Sequence, residues 1–134
     1  MQQMICDKIG ALEKEISSEK GDFYLFGLFC REEAGDKWDL IVSAPWLQAD
    51  VKQGLDYLAD KVRAKLNEEE LLSLSKIVVL AVDDPVVEAV RRSVQETRHG
   101  KVELENQDFG GVQVTHACIS TSTAPTPTVR KSGW

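Results

Sequence analysis

The sequence predicts a single α+β domain: a mixed β-sheet of about five strands with three long helices and one short helix, in the order αββααβαββ. Three observations predict it. Residues 22–46, DFYLFGLFCREEAGDKWDLIVSAPW, read as two strands joined by a charged turn. Residues 77–82, IVVLAV, are a short β-branched run that is apolar on both alternating faces. Around them lie stretches whose apolar residues recur every three or four positions, the period of a helix laid on a sheet.

Taken in order, Ile5, Ile9, Leu12 and Ile16 line one face of an amphipathic helix, and Gly21 supplies the left-handed residue common just past a helix end. The first strand carries Tyr24, Phe26, Leu28 and Cys30 on one face and Phe23, Leu25 and Phe29 on the other. Such a strand is covered on both sides and belongs at the centre of its sheet. Arg31 to Lys37 forms a turn. In the second strand Trp38, Leu40, Val42 and Ala44 alternate with Asp39, Ile41 and Ser43, and Pro45 ends it because proline has no backbone N–H to donate.

Asp50 is placed to cap a long helix with the stripe Val51, Leu55, Leu58, Val62 and Leu66. Asn67 and Glu70 have the spacing of a capping box and open a short helix. The 77–82 strand is then reached through a helical crossover, which predicts parallel pairing, and the sheet is expected to be built from two hairpins around it. Asp84 followed by Pro85 starts a third long helix with Val86, Val87, Val90 and Val94 on its apolar face, closed by Gly100. Residues 101–105 and 112–120 read as a second hairpin. Residues 122–134, rich in threonine, serine and proline, have too few apolar groups to fold alone, so the domain is expected to span 1–121 with a flexible tail.

The chain has 134 residues, a formal net charge of -6 and 43% hydrophobic residues, which suits one soluble core. No apolar run approaches the roughly 20 residues of a membrane span, and the start of the chain lacks the basic and apolar segments of a secretory signal. A cytoplasmic protein without a membrane partner is the expectation. The acidic balance argues against general nucleic-acid binding, which relies on lysine and arginine neutralising phosphates. Arg91, Arg92, Arg98, His99 and Lys101 are the local basic exception, and are expected to pair with Glu88 or Glu96 and complement their helix end. Cys6, Cys30 and Cys118 match neither a disulfide framework nor a zinc spacing and read as reduced, buried thiols.

Candidate chemistry gathers at the carboxyl ends of parallel strands, where α/β sheets tend to bind ligands. That rim would collect Asp22, Ser43, Trp46, Asp83 and Asp84 as ligand-binding candidates, joined by Glu105 and Asp108 if the 101–105 strand ends there too. Asp83, Asp84 and Glu105 are the weak candidates for a metal site. No cofactor is expected; magnesium is the cation such carboxylates would take. Asp39 lacks the second acid and lysine on the 77–82 strand that a nuclease centre requires. His116 and Cys118 share a strand face but supply only two of the three or four ligands zinc requires. Nucleophile elbows and phosphate-cradling glycine loops are absent.

With no catalytic signature, the expected function is a non-catalytic module that binds a protein partner or itself as a homodimer, through an exposed strand edge such as 112–120. The alternative is a divalent-metal-dependent enzyme or small-ligand binder using the acidic rim. The layout is similar to that of small binding and dimerisation scaffolds such as roadblock or profilin-like modules.

Overall fold

In the computed structural model, which describes residues 2–31, 37–94 and 96–123, the chain opens with helix α1 (Gln2–Lys20). Strands β1 (Leu25–Arg31) and β2 (Trp38–Ser43) come next, then helices α2 (Pro45–Ala49), α3 (Val51–Lys65) and α4 (Glu68–Leu72). Strand β3 (Leu74–Val79), helix α5 (Pro85–Ser93) and strands β4 (Val102–Phe109) and β5 (Val112–Ser122) complete it. The strands form a five-stranded mixed sheet in the order β3-β2-β1-β5-β4. The α+β architecture and the element order are those the sequence predicts, with α2 as an additional short helix.

β1 is the middle strand because both of its faces are apolar. Phe26, Leu28 and Cys30 enter the core covered by α1 and α3, while Leu25 and Phe29 enter a second core under α5. The first core takes Ile5, Ile9, Leu12 and Ile16 from α1 and Leu58 and Val62 from α3; the second takes Val87 and Val90 from α5. Full burial of such side chains stabilises the fold by roughly 1.5–3 kcal/mol each before entropy is counted.

The helix ends follow local chemistry. Gly21 adopts φ 116° and donates its N–H to Ser17 O at 3.0 Å. Asp50 Oδ1 accepts from Gln53 N at 3.0 Å, and Asp84 Oδ1 from Val86 N at 2.8 Å, each satisfying an orphan helix donor. Asn67 and Glu70 exchange both bonds of a capping box, at 2.8 and 2.9 Å.

Strand placement differs from the sequence expectation in three respects. β3 is parallel to β2, as predicted, but it is an edge strand and spans 74–79, with the sheet centred on β1. β5 is interior, paired antiparallel with both β1 and β4, so 112–120 is not a free edge. β4 runs opposite to β2 and β3: β1 is antiparallel to β2 and β5, and the tight β4–β5 hairpin then sets the direction of β4.

The third long helix is therefore no crossover between parallel strands. It stops at Ser93, where Val94 caps it, well before Gly100. Thr97 then bridges to Ser122 and leads the chain into β4. β5 continues through Ser122, past the expected boundary at 121, and Thr123 N donates to Tyr24 O at 3.0 Å. The expected tail from 124 onward and the turn at 32–36 lie outside the described residues. Among the described residues no helix is long and apolar enough to cross a membrane.

Candidate functional site

β2 and β3 carry a cavity of about 170 Å³ on the face that α5 only partly covers. Its apolar wall includes Ile41, Val78, Leu80, Val86, Phe109 and Val112. Phe109 is held by an edge-to-face contact with Phe29, ring centroids 5.8 Å apart. The strand alternation that turns Leu40 and Val42 towards α1 and α3 turns Asp39 and Ile41 towards this cavity.

Asp39 is the exception in that wall. It is only 1% exposed, and its Oδ2 accepts from Arg31 Nε at 2.5 Å. Its Oδ1 is buried with no hydrogen-bond partner among the described residues. Lys76, in register with Asp39 on β3, is exposed at the cavity mouth. A buried carboxylate oxygen without a donor is costly, of order 1–3 kcal/mol, and needs a reason. Sequence reading noted Asp39 on its apolar strand, but Lys76 lay outside the expected 77–82 strand, so their adjacency was invisible.

The start of β1 and the ends of β2 and β3 share one rim of the sheet, as expected, but among the described residues no hydrogen bond or ion pair joins one candidate there to another. Asp22 pairs with Arg98 Nη1 at 2.8 Å. Ser43, opposite Leu25 in register, is buried on the α5 side with its Oγ unpartnered among the described residues. Trp46 is half-buried on the other side of the sheet against Phe23 and Tyr57, and its Nε1 is likewise unpartnered. Asp84 is occupied as the α5 cap, and Asp83 is exposed. Glu105 lies within β4, which runs the other way, 3.8 Å from His116 Nε2. Asp108 sits at the opposite rim, accepting from Gly111 N at 2.7 Å and Gln113 Nε2 at 2.8 Å. Among the described residues no three of His, Cys, Asp and Glu are placed to hold a metal ion.

The basic concentration is taken up by ion pairs. Arg91 and Arg92 both reach Glu88, Arg98 bridges Asp22 and Glu96, and Lys101 joins Asp7 and Glu103. His99, at φ 55°, enters a polar knot that sequence reading missed. Its Nδ1 lies 2.9 Å from Oε1 of Glu13, whose fully buried carboxylate also accepts from Ser17 Oγ and Thr121 Oγ1, each at 2.9 Å. The signal was present: Glu13 stands four residues after Ile9 and three before Ile16, on the stripe that faces the core.

All three cysteines are buried, and no two of them form a disulfide. Cys6 of α1 and Cys118 of β5 share a hydrogen bond, which lowers the Cys118 thiol and, with burial, pushes the Cys6 thiol far up. Both border a cavity of about 230 Å³ with His116. Comparison of the chain with protein-family models, with curated proteins and with solved structures gave no match.

Proposed function

We propose that this protein is a non-catalytic binding module that docks through the open edge of β3, and that the occupant is a second copy of the chain. The observation carrying this reading is the contrast between the two edges of the sheet. β4 is guarded by Glu103, Glu105 and Asp108, and Asn106, at φ 54°, interrupts its ladder with β5. Charges and irregular backbone are the usual devices that keep an edge from pairing.

β3 has less protection. After a register shift between Trp38 and Asp39 opposite it, the ladder from Lys76 to Val79 is regular, and Leu80 N continues it to Val42 O at 2.9 Å. Ile77, Val78 and Val79 are half-buried, Lys76 is the one charged residue of the strand, and Leu72 beside its start is 68% exposed. A run apolar on both faces is normally covered on both, whereas Ile77, Val78 and Val79 are only half-buried. An antiparallel pair of two β3 strands about a two-fold axis near Ile77 and Val78 would set the apolar run against itself and offset the two Lys76 side chains.

Size-exclusion chromatography with light scattering over a range of concentrations tests this. A monomer–dimer equilibrium is expected, shifted to monomer in Ser75→Lys and in Leu72→Lys, both at exposed positions. A strict monomer at high concentration removes the self-association reading.

A further inference from the structure

We propose that the cavity between α5 and β3 is a binding site for a small aromatic molecule that carries a neutral hydrogen-bond donor, a hydroxyl or ring N–H, together with a carboxylate. This goes beyond docking at the β3 edge and rests on a separate observation, the buried Oδ1 of Asp39 that has no partner among the described residues.

Size selects the body of the ligand. The cavity is about 170 Å³, and its wall of Ile41, Val78, Leu80, Val86, Phe109 and Val112 offers dispersion contacts on several sides. Cavities of about 150 Å³ with aliphatic and aromatic walls accept a benzene ring. One ring matches that volume.

Charge selects the donor. Asp39 Oδ1 accepts and cannot donate, so the group that reaches it must carry hydrogen. Arg31 Nε already donates to the other oxygen at 2.5 Å, and Lys76 stands at the mouth. Among the described residues, an ammonium would meet two cations beside one carboxylate. A phenolic hydroxyl or ring N–H gives the missing bond without that repulsion. Lys76 makes no ion pair among the described residues and is exposed, which suits a carboxylate held at the entrance on a short linker from the ring. The ligand class is thus a single-ring phenolic acid, with its donor inward and its carboxylate outward.

Three probes separate these elements: para-hydroxyphenylacetate, para-cresol and toluene, titrated while the methyl NMR signals of Ile41, Val78 and Val86 are followed. Saturable shifts are expected with the first two, para-hydroxyphenylacetate binding about threefold or more tightly than para-cresol. Toluene, lacking the donor, binds about tenfold or more weakly than para-cresol. Lys76→Ala brings para-hydroxyphenylacetate down to the level of para-cresol and leaves para-cresol unchanged. Val86→Phe fills the cavity and abolishes binding of all three, and Val112→Phe does the same should the first variant fail to fold.

Absence of saturable shifts with both phenols in the wild-type protein overturns the site. Toluene binding as tightly as para-cresol overturns the role of Asp39, and equal affinities for the two phenols overturn that of Lys76. Binding that survives in both folded cavity-filling variants places the ligand elsewhere and overturns the proposal.

Discussion

His99 Nδ1 lies 2.9 Å from Oε1 and 3.0 Å from Oε2 of Glu13, tying the segment before β4 to a carboxylate on α1 that solvent does not reach. Ser17 and Thr121 add hydroxyl donors to the same group. One buried acid thus fastens α1, β5 and the 96–101 segment together, and a buried charge is tolerable only when it is satisfied in this way.

Glu13→Leu is expected to lower unfolding free energy by about 3 kcal/mol, because it deletes the acceptor and strands the buried Thr121 hydroxyl. Glu13→Gln keeps the volume and an acceptor oxygen and should cost about 1 kcal/mol. Urea denaturation of the three proteins checks both figures. A Leu variant as stable as wild type would mean that the knot contributes nothing.

Gly10 and Gly54 both lie in helices, yet replacement by alanine should act in opposite directions. A Cβ at Gly10 would come 3.5 Å from Ser120 Oγ, an ordinary contact, so Gly10→Ala should gain the helix-propensity difference of about 0.5–1 kcal/mol. A Cβ at Gly54 would come 2.5 Å from Cδ2 of Leu47, which is fully buried and has little room to move. That overlap costs about 1–3 kcal/mol, so it outweighs the propensity gain. Thermal melts should therefore show Gly10→Ala above wild type and Gly54→Ala below it.

The Tyr57 phenol is pushed up to about 12, by burial first and then by its hydrogen bond to Glu19. An ordinary tyrosine titrates near about 10, so in this window the unfolded chain loses the proton before the folded one does. Stability contributed by the protonated phenol is complete below the unfolded value and is lost as pH rises towards the folded value. Denaturation of wild type and Tyr57→Phe between about pH 9 and about pH 11 should show wild type losing more stability. Parallel curves would mean that the phenol is not held up by the fold.

Local signals were reliable wherever short-range chemistry decides. The caps at Asp50, Asn67 and Asp84, the break at Pro45 and the positive φ of Gly21 all lie where side-chain type and spacing place them. The double-faced pattern of β1 placed it correctly at the sheet centre. The same reasoning failed for 77–82, whose apolar run looks identical whether a second neighbour is present or a face stands open. The site was legible only in fragments, since Asp39 drew notice but Arg31, Lys76 and Val86 had no visible reason to join it.

The sequence by itself determined the class of fold, the order of its elements and the parallel pairing of β3 with β2, because periodicity, capping residues and connection length act over a few residues or one crossover. Strand order, the direction of β4 and the meeting of Asp39 with Lys76 and of Glu13 with His99 were decided only in three dimensions. Those relations depend on which strand closes against β1, and that competition between distant segments leaves no mark in local spacing.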